Sequence, residues 1–172
     1  LKAVAFSGWQ GFIKRTFDLL VATASLILLC PIFLFIGILI KLSSRGPVFF
    51  KQSRVGMDNK EFSMLKFRSM MVDAEDKTGP VWAKKDDPRA TGIGKFLRRT
   101  SVDELPQLIN VMKGDMSLVG PRPERKVFVD EFQQYIPKYA ERHRVRSGMT
   151  GWAQVNGLRG QSPIEERTRY DV

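Results

Sequence analysis

The 172-residue sequence predicts an α+β chain that is predominantly helical: one re-entrant membrane helix broken at a proline, then a small cytoplasmic domain of short strands and amphipathic helices. Three observations carry this reading. Residues 19–40, LLVATASLILLCPIFLFIGILI, are uncharged and are flanked by Lys14-Arg15 on one side and by Lys41 and Arg45 on the other. Pro31 falls near the middle of that stretch. After Ile40 the sequence turns polar, with short apolar runs punctuated by glycine and proline. The expected division is residues 1–45 for the N-terminal segment and membrane helix, and 46–172 for one polar domain.

A soluble helix has no need to be apolar on every side for this length. The stretch is also too long for a signal peptide, and no small-residue cleavage site follows it; a buried core helix is the alternative. Pro31 removes a backbone donor and clashes with the carbonyl four residues earlier, so a kink or break is expected there. Basic residues at both ends are easiest to accommodate if both ends face the cytoplasm.

Beyond the helix, residues 47–52 and 62–67 read as short strands. Residues 72–90 form a charged loop with Gly79-Pro80 and Asp87-Pro88 as turn signals. Ile93 to Arg99 is a short basic helix with Ile93, Phe96 and Leu97 on one face. A helix over Asp103–Lys113 would align Leu105, Leu108, Ile109 and Met112, with Pro106 in its first turn and Gly114 at its stop. Another, over Glu124–Arg142, points Phe128, Phe132, Tyr135, Ile136 and Tyr139 inward and is interrupted at Pro137. Residues 148–160 read as a Gly-rich, irregular tail. The chain starts at Leu1 and stops at Val172, so it is expected to be part of something longer.

Charge narrows the class of ligand. The formal net charge is +10; residues 1–40 carry Lys2, Lys14 and Arg15 against Asp18, so residues 41–172 hold +8 of it. Such a surface attracts nucleic acid, anionic lipid headgroups or phosphorylated small molecules. The single cysteine, Cys30, lies in the apolar run and can form neither an internal disulfide nor a thiolate cluster, which fits a reducing compartment. The single histidine, His143, sits in Glu141-Arg142-His143-Arg144, where a solvated position is expected. Histidine triads and multi-histidine metal sites are thereby nearly excluded, so any catalysis falls to carboxylates and cations.

Three segments could carry it. Arg98-Arg99-Thr100-Ser101-Val102-Asp103-Glu104-Leu105-Pro106 places two carboxylates at a helix start after two arginines. Capping is one explanation, with Ser101 and Glu104 imitating a capping box. The other is a carboxylate kept ionised beside a phosphate site. In Gly120-Pro121-Arg122-Pro123, prolines on both sides restrict Arg122, which could hold a phosphate or simply occupy an exposed turn. In Lys66-Phe67-Arg68-Ser69-Met70, alternation puts Lys66 and Arg68 on one side, which also describes a solvated edge strand. There is no Walker loop, no GxGxxG after a strand and no Asp-x-Asp metal pair.

In order, these pieces resemble the bacterial sugar transferases, monotopic polyprenyl-phosphate phosphoglycosyl transferases. The resemblance runs from Ile13 to Val172. It rests on Lys14-Arg15-x-Phe17-Asp18 before an apolar helix containing Pro31, Gln52-Ser53-Arg54-Val55-Gly56, Lys66-Phe67-Arg68-Ser69-Met70 and Asp87-Pro88-Arg89. It continues through residues 100–107 (TSVDELPQ), 114–123 (GDMSLVGPRP) and 148–152 (GMTGW). It implies that Asp103 attacks the sugar-linked phosphate of a UDP-sugar, that UMP leaves, and that undecaprenyl phosphate then takes the phosphosugar from the aspartate. Glu104 is the pair's second member, and Asp103 and Glu104 are the implied Mg²⁺ ligands. Lys66, Arg99 and Arg122 are candidate phosphate or nucleotide contacts, with Arg89 and Arg98 behind them.

Residues 151–157 (GWAQVNG) look like longer members that initiate exopolysaccharide synthesis, often with glucose or galactose. The resemblance places the chain at the cytoplasmic face of the bacterial inner membrane, in contact with anionic lipid and not nucleic acid, and leaves room for a homodimer. Two other readings stay open: a membrane-tethered basic binding module, and a polyprenyl-phosphate glycosyltransferase that releases UDP.

Overall fold

The structure is a computed structural model and describes residues 8–76, 79, 81, 87–158, 160 and 162–171. The expected turn at Gly79-Pro80 lies in part outside the described residues. Elements follow as α1 Trp9–Ser43, β1 Phe49–Val55, β2 Glu61–Phe67, α2 Gly92–Arg99, α3 Gln107–Lys113, β3 Ser117–Val119, α4 Lys126–Tyr135, β4 Gly148–Thr150, α5 Trp152–Val155 and α6 Ile164–Asp171. β1 pairs with β2; β3 pairs with β4 in parallel, with Ser117 opposite Gly148 and Val119 opposite Thr150. The chain is mixed helix and strand, as expected.

Helix α1 is longer than the uncharged stretch and includes Pro31 within one continuous 35-residue helix. The helical run is not interrupted at Pro31, so the expected break is not confirmed there. Proline costs one donor, toward the Ile27 carbonyl, whereas unwinding would expose several more backbone groups along an apolar segment. Among the described residues this helix is long and apolar enough to cross a membrane, and most of its apolar stretch is exposed.

The chain divides into two compact units. One comprises the described parts of 1–26, 52–64 and 107–172. In it, Asp18 is 2% exposed and bonds Lys14 Nζ at 2.6 Å, the Ser117 hydroxyl at 2.8 Å and the Leu118 amide at 3.3 Å. Arg15 donates to the carbonyls of Val111 and Met112, at 2.6 and 2.8 Å, closing the C-terminus of α3. The Lys-Arg-x-Phe-Asp motif thus fastens the start of α1 to α3 and β3. Gly120 follows β3 because a Cβ there would collide with the Arg146 carbonyl oxygen.

Several expectations for this unit change. The segment 103–113 is a 3₁₀ turn over Val102–Glu104 followed by α3, with Leu105-Pro106 between them. Its buried residues are Gln107, Leu108, Asn110 and Val111, while Met112 is exposed. The later start rotates the face that sequence periodicity assigns from Asp103. Helix α4 stops at Tyr135, which points outward, and a 3₁₀ turn over Tyr139–Arg144 carries the chain on.

That turn buries His143, contrary to the solvated position expected. Its ring lies 5.8 Å from Tyr139, and Nδ1 is 3.2 Å from the Gly56 carbonyl oxygen. The residues 148–160 are less irregular than expected, since they contain β4 and α5.

The other unit comprises 27–51 and the described parts of 65–106. Ile36 and Ile40 of α1 pack with Phe67 and Leu97, flanked by Phe33, Val48, Ile93 and Val102. Phe67 meets Phe33 edge-on at 5.1 Å and stacks on Phe49 at 5.4 Å. Arg68 is buried, not solvated: it donates to the Ser44 carbonyl at 2.8 Å and the Arg45 carbonyl at 2.5 Å, supplying partners that the end of α1 lacks. Thr91 caps α2 by accepting from the Gly94 amide at 3.0 Å.

Candidate active site

The second unit brings together most of the residues singled out from the sequence. α2 ends in Arg98 and Arg99, where cations complement the helix C-terminus. Ser101 then takes a left-handed conformation, φ 58°, and turns the chain into the 3₁₀ segment that bears Asp103 and Glu104. Such a conformation is uncommon outside glycine and recurs where placement outweighs strain. Ser101 makes no side-chain cap hydrogen bond, so the capping-box explanation of this motif fails.

Asp103 is 6% exposed. Glu104 reaches Lys66 at the end of β2, with Nζ 2.8 Å from Oε1 and both side chains mostly shielded. The pair is thus a buried carboxylate beside a carboxylate held by an ammonium. A lysine so fixed keeps positive charge next to the pair, where a diphosphate would bring negative charge.

The remaining arginines differ in availability. Arg98 is half-buried and Arg99 exposed. Arg89 is clamped on Asp87, with Nε at 2.8 Å and Nη2 at 2.6 Å, and also donates to the Ala74 carbonyl at 3.3 Å. The hydrogen bond from Asp87 raises its already high pKa. Its role here is to hold the loop before α2.

Arg122 belongs to the other unit. There it lines a small cleft with Arg54, Met64, Gln107 and Pro123. Pro121 and Pro123 are buried on either side, so its backbone is fixed as the sequence suggests, and its carbonyl accepts from Arg142 at 3.2 Å. Two residues of this cleft escaped the sequence reading. Arg54 is held by Gln52 and by Glu124, and the buried Nε2 of Gln107 makes no hydrogen bond. Gln107 is buried although it lies off the apolar face that periodicity assigns, so no local signal marked it.

The implied metal can be tested against the donor set. No group of three or more histidine, cysteine, aspartate or glutamate side chains forms among the described residues. Two adjacent carboxylates nevertheless suit Mg²⁺, which binds through one or two carboxylates, retained water and substrate phosphate. Asp103 and Glu104 fit that description.

Residues 9–172 match the family described as bacterial sugar transferase. The chain belongs to this family. It is 47% identical over 170 residues to the UDP-glucose:undecaprenyl-phosphate glucose-1-phosphate transferase of Escherichia coli K12, covering 96% of this chain and 36% of that protein. It is 51% identical over 161 residues to the UDP-N-acetylgalactosamine-undecaprenyl-phosphate N-acetylgalactosaminephosphotransferase of Aeromonas hydrophila, covering 94% and 37%. A Bacillus subtilis relative, named a putative undecaprenyl-phosphate N-acetylgalactosaminyl 1-phosphate transferase, is 52% identical over 148 residues, covering 83% of this chain and 82% of its own. This sugar transferase chain spans about a third of the first two relatives.

Proposed function

We propose that this chain transfers a sugar-1-phosphate from a UDP-sugar to undecaprenyl phosphate and releases UMP, as the first membrane step of exopolysaccharide or other glycoconjugate synthesis. The observation that carries the proposal is the buried Asp103 next to a Glu104 held by Lys66, in a chain whose relatives are named for this transfer. An Asp103 carboxylate oxygen attacks the sugar-linked phosphorus. The bond from that phosphorus to the oxygen bridging to UMP breaks, and UMP departs with the electron pair. An oxygen of undecaprenyl phosphate then attacks the same phosphorus and expels the aspartate, leaving the sugar on a polyprenyl diphosphate. A carboxylate nucleophile needs no base to ionise it at neutral pH, which suits a chain whose only histidine is buried elsewhere.

Asp103 and Glu104 would hold Mg²⁺, which when bound offsets the charge of the diphosphate. Lys66 and Arg99 supply further positive charge, whereas Arg89 already engages Asp87. The relatives are named for glucose and for N-acetylgalactosamine, so the donor sugar belongs to a wider set than glucose and galactose.

We also propose a re-entrant path for α1 at the cytoplasmic face of the inner membrane, which the basic residues at both ends of its apolar stretch, Lys14 and Arg15 before it and Lys41 and Arg45 after it, support. The direct test is the nucleotide released on turnover: UMP supports phosphosugar transfer, and UDP would make the protein a simple glycosyltransferase.

A further inference from the structure

We infer that the groove beside the second half of α1 holds the isoprenoid tail of the lipid acceptor. The inference rests on the proposed transfer and adds to it a site for the chain of the acceptor. The groove has a volume of about 480 Å³, within the range of small-molecule sites. Cys30, Phe33, Leu34 and Gly37 form its α1 side, and Val48 and Phe49 form the other. Cys30, Leu34, Gly37 and Lys41 recur at helical spacing, so they lie along one face over roughly 16 Å. Lys41 is the one charged residue among those that line it. An apolar trough with a single ammonium matches a long hydrocarbon that ends in phosphate.

Continuity with the candidate active site favours the acceptor over any bulk lipid. Phe33 and Phe49 pack on Phe67, and Phe67 is the neighbour of Lys66, which holds Glu104. Phe33 and Val48 also flank the core cluster together with Val102, the residue before Asp103. Groove walls Phe33 and Val48 and the residue before the carboxylate pair, Val102, therefore share one packed cluster around Phe67. A tail lying in the groove would belong to a lipid whose phosphate is presented to the same packed unit. Gly37 keeps the trough open: a Cβ there meets only Val48, at an ordinary 3.6 Å, but a longer side chain would occupy the space.

The test uses the full chain in lipid nanodiscs, with two acceptors: a polyprenyl phosphate of many isoprene units and one of two units. Gly37→Leu should raise KM for the long acceptor at least about tenfold, while the short acceptor and the transfer of label from UDP-sugar to protein stay unchanged. Gly37→Ala should behave as wild type, which separates filling from misfolding. In parallel, a long polyprenyl phosphate with a diazirine on its tail should crosslink to residues 30–49 of the wild-type protein. Excess unmodified polyprenyl phosphate should suppress that crosslink, and phosphatidylglycerol should not. An unchanged KM for the long acceptor, an equal loss with both acceptors, or crosslinks suppressed equally by phosphatidylglycerol would each overturn the assignment. Absence of protein-bound label in the wild type would instead remove the covalent step, and the crosslink would still decide the groove.

Discussion

At the scale of single residues, the account places chemistry on Asp103 and support on its neighbours. Asp103→Asn barely alters shape yet removes the nucleophile, so turnover should fall by more than about 10³-fold in a membrane assay. Thermal stability should be retained, and loss of folding instead of activity would count against the assignment. Chelation should stop turnover and Mg²⁺ restore it; full activity in excess chelator would take the metal out of the account. His143 gives a separate, structural prediction. Burial, with Arg142 nearby, lowers its pKa from 6.5 to about 4, partly opposed by the Gly56 carbonyl. The folded protein keeps this ring neutral while the unfolded chain protonates it, so its contribution to stability is lost as pH falls from about 6.5 toward 4. Melting followed across that window should show a shallower decline in His143→Gln than in wild type. Among residues, Asp103, Glu104 and Lys66 were legible because they sit in motifs. His143 was not, because a run of charges conceals that a 3₁₀ turn aims two of its members inward.

At the scale of elements, α1 is held at its start by charge and at its far end by packing. Asp18 accepts from Lys14, Ser117 and the Leu118 amide; without it Lys14 can still donate to the Ser117 hydroxyl and Ser117 to the Val119 carbonyl, while the Leu118 amide loses its acceptor. Asp18→Ala should cost about 1–3 kcal/mol, read as a lowered unfolding midpoint in detergent. Helix α6 is fastened by a second network. Arg142 pairs with Asp171 at 2.8 Å and Arg167 with Glu124 at 3.4 Å. Burial pushes the Asp171 carboxyl up and the Arg167 guanidinium down. Burial also pushes the Tyr139 hydroxyl up to about 12. These elements show where sequence reading succeeds. α2, β1 and β2 were visible through local periodicity and punctuation. β3 and β4 were not, since each is three residues long and exists only by pairing in parallel across a long separation in sequence. Helix continuity through Pro31 was hidden for another reason: a local rule predicts a break, while the surrounding apolar medium favours keeping every other backbone bond.

At the scale of the whole molecule, the account predicts a helix whose two ends meet water on the same side. Single cysteines replacing Gln10 and Arg45, in a Cys30→Ser background, should both be shielded from a membrane-impermeant thiol reagent in right-side-out vesicles. Opening the vesicles should expose both. Labelling of Gln10→Cys from outside in the otherwise unaltered helix would mean that α1 spans. The reading of the molecule as an enzyme and not a basic tether has a sharper test. The full chain is incubated with UDP-sugar carrying label in its sugar-linked phosphate, without any lipid acceptor, and the protein is digested and mapped. The account predicts stoichiometric label on the peptide bearing Asp103, released as lipid-linked product when undecaprenyl phosphate is added. Normal turnover with acceptor but no protein-bound label, or label on any other residue, would contradict it.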